Sequence, residues 1–229
     1  MIVCTTIFLS LRITNQEQPN NRIDTFKISI FSAIICSIIF LITFRQTLFI
    51  MATWNIDPMH TEIQFKVKHL VISTVTGSFQ EFSGKLEATK DDLTDAKISF
   101  EASIDSITTG NGQRDGHLKS DDFFGAEKFP KLTFESTSFE KKSGDEYQLK
   151  GNLTIKGTTK PVTLDVEYGG TANDMYGNTK AGFELKGKIN RKDFGLTWNG
   201  VTEAGGVVVS DEVKLIMNVQ VAKVVEQTV

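Results

Sequence analysis

Past residue 50 the chain has no cysteine. Its two thiols, Cys4 and Cys36, both precede that point, so residues 51–229 can form no disulfide, thiolate metal site or cysteine nucleophile. Histidine is scarce too: His60, His69 and His117 are the only three, and none falls in an HxH, HExxH or comparable ligand spacing. Each reads as a structural, hydrogen-bonding histidine ahead of a metal ligand. The Gly-x-Ser-x-Gly elbow, the P-loop and the Gly-x-Gly-x-x-Gly turn are absent, which removes the usual sequence signals for an acyl-transfer nucleophile or a nucleotide phosphate site. Gly205-Gly206 before Val207-Val208-Val209 has no helix pattern after it and reads as a tight turn entering a strand. The acidic pairs Asp91-Asp92 and Asp121-Asp122 read as a solvated loop and a helix start, with too few oxygen ligands at loop spacing for calcium. No catalytic residue, metal or cofactor is expected.

The first 50 residues lack glycine, tryptophan and tyrosine altogether, whereas all 18 Gly, both Trp and all three Tyr follow. Charge divides at the same place. Arg12, Arg22, Lys27 and Arg45 against Glu17 and Asp24 give +2, which leaves −5 of the total of −3 for the remainder. A mildly acidic domain of this kind is a poor partner for nucleic-acid phosphates. Residues 28–44 carry no charge and are flanked by Lys27 and Arg45, at the short limit for a membrane-spanning helix. Three readings of residues 1–50 stand: a membrane anchor, a secretory signal without a clean cleavage pattern, or upstream sequence ahead of a true start at Met51. The first two place the protein at a membrane or in the periplasm, the third in the cytoplasm. No linker rich in Pro, Ser or Gly and no repeat divides residues 51–229, so one domain is expected there.

That domain alternates with period two. Ile63, Phe65 and Val67 alternate with Gln64, Lys66 and Lys68, and the same pattern runs through Ala96–Ile104, Val162–Tyr168, Phe183–Ile189 and Leu215–Val221. Weaker strands are read at Phe79–Leu86, Lys131–Phe139 and Tyr147–Ile155, about eight in all. Strict alternation means one wet and one dry face, as in an antiparallel sheet. Lys142–Asp145, Lys156–Thr159 and Gly169-Gly170 supply turn chemistry between strands. With few helices to cover it, such a sheet must stack or close, and interior glycines at Gly151, Gly182 and Gly187 suit the bends and close approaches of a barrel wall. The expected fold is an all-β antiparallel barrel of about eight strands, wide enough for side chains or one slender ligand.

The run Arg114–Pro130 (RDGHLKSDDFFGAEKFP) is the long exception to the strand pattern. Asn111 and Ser120 each read as an N-cap of a short helical turn, and Phe123, Phe124 and Phe129 need burial. Residues 111–124 are therefore read as a helical lid on the barrel, with a crossover packed on its outside as the alternative.

Trp54–His60, Ile63-x-Phe65-x-Val67-x-His69-Leu70 and Gly77-x-Phe79-x-x-Phe82-x-Gly84 resemble the opening of the YceI-like proteins. Arg114-Asp115-x-His117-Leu118-x-Ser120-x-Asp122-Phe123-Phe124 resembles that family's most distinctive block. Gly151–Thr159, Arg191-x-Asp193-Phe194-Gly195-x-x-Trp198 and Val209–Val213 continue the likeness through Val221. Gly125 departs from the acidic residue usual there. The resemblance implies a lipocalin-like barrel whose apolar pore holds a polyisoprenoid, an isoprenoid quinone or another long-chain amphiphile, for carriage or storage. It brings no catalytic constellation, so the protein is expected not to be an enzyme. On that reading Phe65, Val67, Phe79, Phe100, Ile104, Phe134 and Leu164 line the pore, Phe123, Phe124 and Phe129 close it, and Arg114 or His117 meets a polar head group. Two rivals stay open: an enzyme acting on a lipid head group through His117, and a barrel filled by its own side chains. Membrane contact through residues 28–44 and a homodimer also stay open.

Overall fold

The computed structural model describes residues 51–90, 92–200 and 208–224. The readings of residues 1–50, of Asp91 and of Gly205-Gly206 lie outside them. Among the described residues no helix is long and apolar enough to cross a membrane.

Eleven strand segments form one antiparallel sheet: β1 (Ala52–Ile56), β2 (Glu62–His69), β3 (Ser73–Phe79), β4 (Phe82–Ala88), β5 (Lys97–Ser103), β6 (Ile107–Thr108), β7 (Lys131–Ser143), β8 (Glu146–Ile155), β9 (Thr158–Asn173), β10 (Thr179–Asn190) and β11 (Val209–Lys223). Three pairs lie end to end. β1 and β2 both pair with β11, at Val221–Lys223 and Val209–Asn218 respectively. β4 then pairs with β1 and β3 with β2, while β5 pairs with β4 and β6 with β3. The segments thus make eight staves in simple up-and-down order, and β1–β11 pairing closes the ring.

The breaks within staves have local causes. Pro58 starts a 3-10 turn, Pro58–His60, between β1 and β2, where its missing N–H costs nothing. Asp57 caps that turn, accepting from the Met59 amide at 3.2 Å. The same carboxylate accepts from Lys180 Nζ at 3.0 Å and Gln220 Nε2 at 3.1 Å, which binds the broken stave to β10 and β11. Gln80-Glu81 separates β3 from β4, so the strand read at Phe79–Leu86 begins earlier and is interrupted.

Two further features correct the sequence reading. Gly169-Gly170 is no turn. It lies inside β9, where the register with β10 shifts between Gly182 and Phe183, and the chain reverses at residues 174–178 instead. A bulge needs an extra residue, and Gly170 takes φ +96 at no steric cost. Ser120 does not start a second helix. The single α-helix among the described residues, α1 (Gly112–Lys119), is capped by Asn111, whose side chain accepts from the Arg114 amide at 3.0 Å. Ser120 ends it, its hydroxyl donating back to the His117 carbonyl at 2.7 Å. The Gly125 and Ala126 amides then bond back to the Ser120 and Lys119 carbonyls, so residues 121–128 form turns.

The dry face points into the barrel. At the end away from α1, Phe139 stacks on Tyr147 at 4.9 Å, and Tyr168 bridges Tyr147 (6.2 Å) and Phe183 (5.3 Å), plugging the floor. Phe134 and Phe139 both face inward although five residues apart, because β7 shifts register between Ser136 and Ser138. Inside the wall, a Cβ on Gly151 would lie 2.5 Å from the Glu135 carbonyl and collide with the Phe134 ring, so only glycine lets β8 pass that close to β7.

At the α1 end the return from β10 to β11 is knitted by Arg191, 3% exposed. Its Nε donates to Ser210 O (3.0 Å). One terminal nitrogen donates to Leu196 O (2.5 Å) and Trp198 O (2.7 Å), the other to Val209 O (3.2 Å) and Asp211 Oδ1 (3.4 Å). A guanidinium has five N–H groups, and all five are used. Burial lowers its pKa, and the Asp211 charge offsets part of that.

Two outcomes follow from these contacts. Arg191→Ala leaves several carbonyls without their donor and should cost about 3 kcal/mol or more in urea unfolding. Arg191→Lys should recover little, since one ammonium cannot replace a planar fork; a loss near zero for the alanine variant would refute the clasp. Asp57 is held down to about 2, chiefly by the Lys180 hydrogen bond and then by His60 and the Met59 amide against the opposing effect of burial. A depressed carboxyl contributes stability above its unfolded pKa and loses it as pH falls through the folded one. Stability should therefore drop between about pH 4 and about pH 2, by about 1 kcal/mol after solvent screening, and Asp57→Asn should flatten that part of the pH–stability curve.

Candidate functional site

The alternation that closes the barrel also hollows it. Side chains from every stave meet around a cavity with about 230 Å³ open to the centre of a water molecule. At roughly 10–15 Å³ for a water-sized sphere, that is room for a slender chain. All lining residues are apolar except Gln64, Lys85, Ser99 and Arg191. Of these, Arg191 has no free N–H to offer a ligand.

Most of the expected pore residues reach this cavity. Phe65 and Val67 of β2, Phe79 of β3, Phe100 of β5, Phe134 of β7 and Leu164 of β9 line it, as do Phe123 and Phe124 from the turns after α1. Their parity follows from the pleat: residues two apart in a strand share a face. Aromatic packing holds the upper wall, with Phe65 against Phe79 at 5.9 Å and Phe79 edge-on to Phe124 at 6.4 Å. Phe82 and Phe100 lie 6.2 Å apart lower in the wall.

Two expected residues do not line the cavity. Ile104, read as the end of a strand, begins the 3-10 turn Ile104–Ser106 after β5 stops at Ser103. Its amide bonds the Pro130 carbonyl at 2.9 Å, and its side chain is 2% exposed within the solid core. Phe129 lies over the β8–β9 turn, where a Cβ on Gly157 would come within 2.8 Å of its ring. It braces the lid from outside the cavity.

The polar candidates are held in place by the lid itself. Arg114 Nε donates to Thr109 Oγ1 (2.6 Å) and its Nη2 to Thr109 O (2.9 Å). Asp115 accepts from the Thr109 amide (2.8 Å) and the Thr109 hydroxyl (2.5 Å). Burial works to raise the Asp115 pKa, but the Thr109 and Thr108 hydrogen bonds outweigh it and lower it. Both side chains clamp α1 to the end of β6. His117 Nε2 meets Asp122 Oδ2 at 2.9 Å, and its ring stands edge-on to Trp198 (4.8 Å) and Phe123 (5.1 Å). Neither Arg114 nor His117 lines the cavity.

The sequence reading missed Leu118, the one α1 residue that reaches the cavity, together with Leu196 and Arg191 from the β10–β11 return. No period-two signal covers the return or α1. The available clues were a leucine set in an otherwise polar helix and an arginine directly after a strand. Among the described residues no three His, Cys, Asp or Glu side chains gather as a metal site would need.

Comparison with known proteins agrees with this geometry. A UPF0312 protein of Staphylococcus epidermidis is 42% identical over 165 residues, covering 72% of this chain and 94% of that protein. The crystal structure of the Campylobacter jejuni YCEI protein superposes with a TM-score of 0.59 at 37% identity, over 69% of this chain and 90% of that one. A polyisoprenoid-binding domain from Saccharophagus degradans, implicated in plant cell wall breakdown, shares the fold with a TM-score of 0.52 at 14% identity, over 75% of this chain and 98% of that one. The model of the YceI-like domain matches residues 54–221, and this chain belongs to the YceI-like family.

Proposed function

We propose that residues 51–229 form a carrier or store for a long-chain amphiphilic lipid of the polyisoprenoid or isoprenoid-quinone class, held in the barrel cavity without chemical turnover. The observation that carries this reading is the cavity's lining: apolar except at Gln64, Lys85, Ser99 and Arg191, with the buried Arg191 saturated by four backbone carbonyls and Asp211. The same fold serves as a polyisoprenoid-binding domain in Saccharophagus degradans.

The energetics suffice without a strong polar contact. Each methylene moved from water gains about 0.8 kcal/mol gross. Ordering a flexible chain and docking it offsets much of this, so roughly 0.3 kcal/mol per heavy atom is a realistic net for a large ligand. A chain of about thirty heavy atoms then binds with roughly 9 kcal/mol, in the submicromolar range. Because the Arg191 donors are occupied and Arg114 is committed to Thr109, the polar end is expected to sit at the lid rather than in a built head-group pocket.

Mass spectrometry of the solvent extract and of the native protein, after gentle purification of residues 51–229, should reveal one lipid per chain. A clean apo mass with no uptake of added polyprenyl lipid would overturn the reading in favour of a filled barrel. Phe100→Trp should cut lipid uptake sharply while overpacking costs about 1–3 kcal/mol of stability; unchanged uptake would exclude Phe100 from the binding surface. His117→Ala should retain the lipid, which separates a carrier from an enzyme using that ring.

A further inference from the structure

The loop between β2 and β3 is built from the wrong residues for a hairpin tip. Its three residues are Leu70, Val71 and Ile72, closed by the His69–Ser73 pair. Leu70 and Val71 adopt φ +51 and +64. Asn, Asp or Gly normally fill such positions, and for a β-branched side chain the left-handed region is a true outlier. The tip is nonetheless held: the Leu70 amide donates to Val208 O at 2.9 Å and Ser73 Oγ to His69 O at 3.1 Å. The side chains gain little from the fold in return, since Leu70 is 38%, Val71 74% and Ile72 85% exposed. Three consecutive aliphatics are thus presented to solvent on a strained, fixed support.

Directly behind this tip the sheet carries a second locally unfavourable feature. On the outer face Lys188 of β10 stands opposite Lys214 of β11, and Lys214 opposite Lys66 of β2. Lys68 lies on the same face, two residues nearer the tip. Like charges directly across a sheet destabilise it. Acidic neighbours answer only part of the row: Glu212 pairs with Lys188 at 3.2 Å and Asp211 with Lys192 at 2.9 Å. Lys66, Lys68 and Lys214 make no ion pair among the described residues. This basic strip occurs in a domain whose net charge is −5, obtained by taking the +2 of residues 1–50 from the total of −3.

We infer that this rim docks on an anionic phospholipid bilayer, the aliphatic tip entering the headgroup–acyl boundary and the lysines resting on lipid phosphates. The dimensions agree. Strands rise about 3.3 Å per residue, which puts Lys68 roughly 7–10 Å and Lys66 with Lys214 roughly 13–17 Å behind the tip. An apolar element seated about 5–10 Å deep brings Lys68 to phosphate level and the others within reach of the surface potential, which decays over about a Debye length. Charge also selects the orientation, because the acidic remainder of the domain is repelled by such a surface. A bilayer accepts a three-residue knob, whereas a stable protein interface needs about 800 Å² from each partner. The docking does not depend on what the cavity holds, and it is read with no ligand added.

The sheet closes within residues 52–223, and 94% of the Staphylococcus epidermidis relative is matched by 165 residues of this chain, so residues 51–229 are the unit to test. They should co-sediment with vesicles of phosphatidylcholine mixed with phosphatidylglycerol, and far less with phosphatidylcholine alone. Added salt should weaken the binding. Replacing Lys66, Lys68 or Lys214 by Gln should each reduce affinity for the mixed vesicles about fivefold. The double variant Leu70→Asn, Val71→Gly removes two aliphatics and relaxes the backbone, so it should unfold at an equal or higher temperature while losing most vesicle binding. Protein that stays in the supernatant with the mixed vesicles, or a double variant that binds them like the parent, would overturn the proposal.

Discussion

Closure of the sheet is the constraint on which the rest depends. Among the described residues, eight staves with one apolar face each have no second sheet to pack against and only one eight-residue helix to cover them. Three residue pairs between β1 and the end of β11 turn an open sheet into a ring. They pair a strand edge that would otherwise offer unpaired backbone groups to other chains. Once the ring is closed, its radius is fixed by strand number and stagger, and the inward side chains either fill that space or leave a channel. Here aromatic stacking fills the floor around Tyr147, and the middle remains open.

The upper end shows how a polar group can border an apolar channel without serving it. Arg191 lines the cavity, yet its donors go to the Leu196, Trp198, Val209 and Ser210 carbonyls and to the Asp211 carboxylate. A buried guanidinium left partly unpaired would be very costly, and this one is paired throughout. It fixes the β10–β11 return as Asp115 and Arg114 fix α1 to Thr109. Lid and return then meet through Trp198, Phe123 and His117. The channel is thus framed by hydrogen-bonded pieces, and the polar group that borders it, Arg191, has its donors occupied, which suits recognition by shape and hydrophobicity.

Against this internally consistent background, the few locally unfavourable choices stand out. Most turns use suitable chemistry: Gly144, Gly157 and Gly177 all sit at positive φ. The Leu70–Ile72 tip and the Lys188–Lys214–Lys66 row do not improve the fold. Features that local rules oppose and the fold does not repay are where function is to be sought, and these two lie at the same end of the same strands.

The sequence by itself determined the strand parity, and therefore which face is dry. Pleat geometry makes that a period-two signal, so Phe65, Val67, Phe79, Phe100, Phe134 and Leu164 were legible as inward residues one strand at a time. Only the tertiary structure decided where parity breaks, because a bulge is a register mismatch between two strands and neither strand records it alone. The inward pair Phe134 and Phe139 and the bulge at Gly169-Gly170 are of this kind. So are the residues outside any period: Ile104 turned into the core, Phe129 moved outside, and Leu118, Leu196 and Arg191 brought in. Their places depend on contacts between segments far apart in sequence, which closure of the ring brings together.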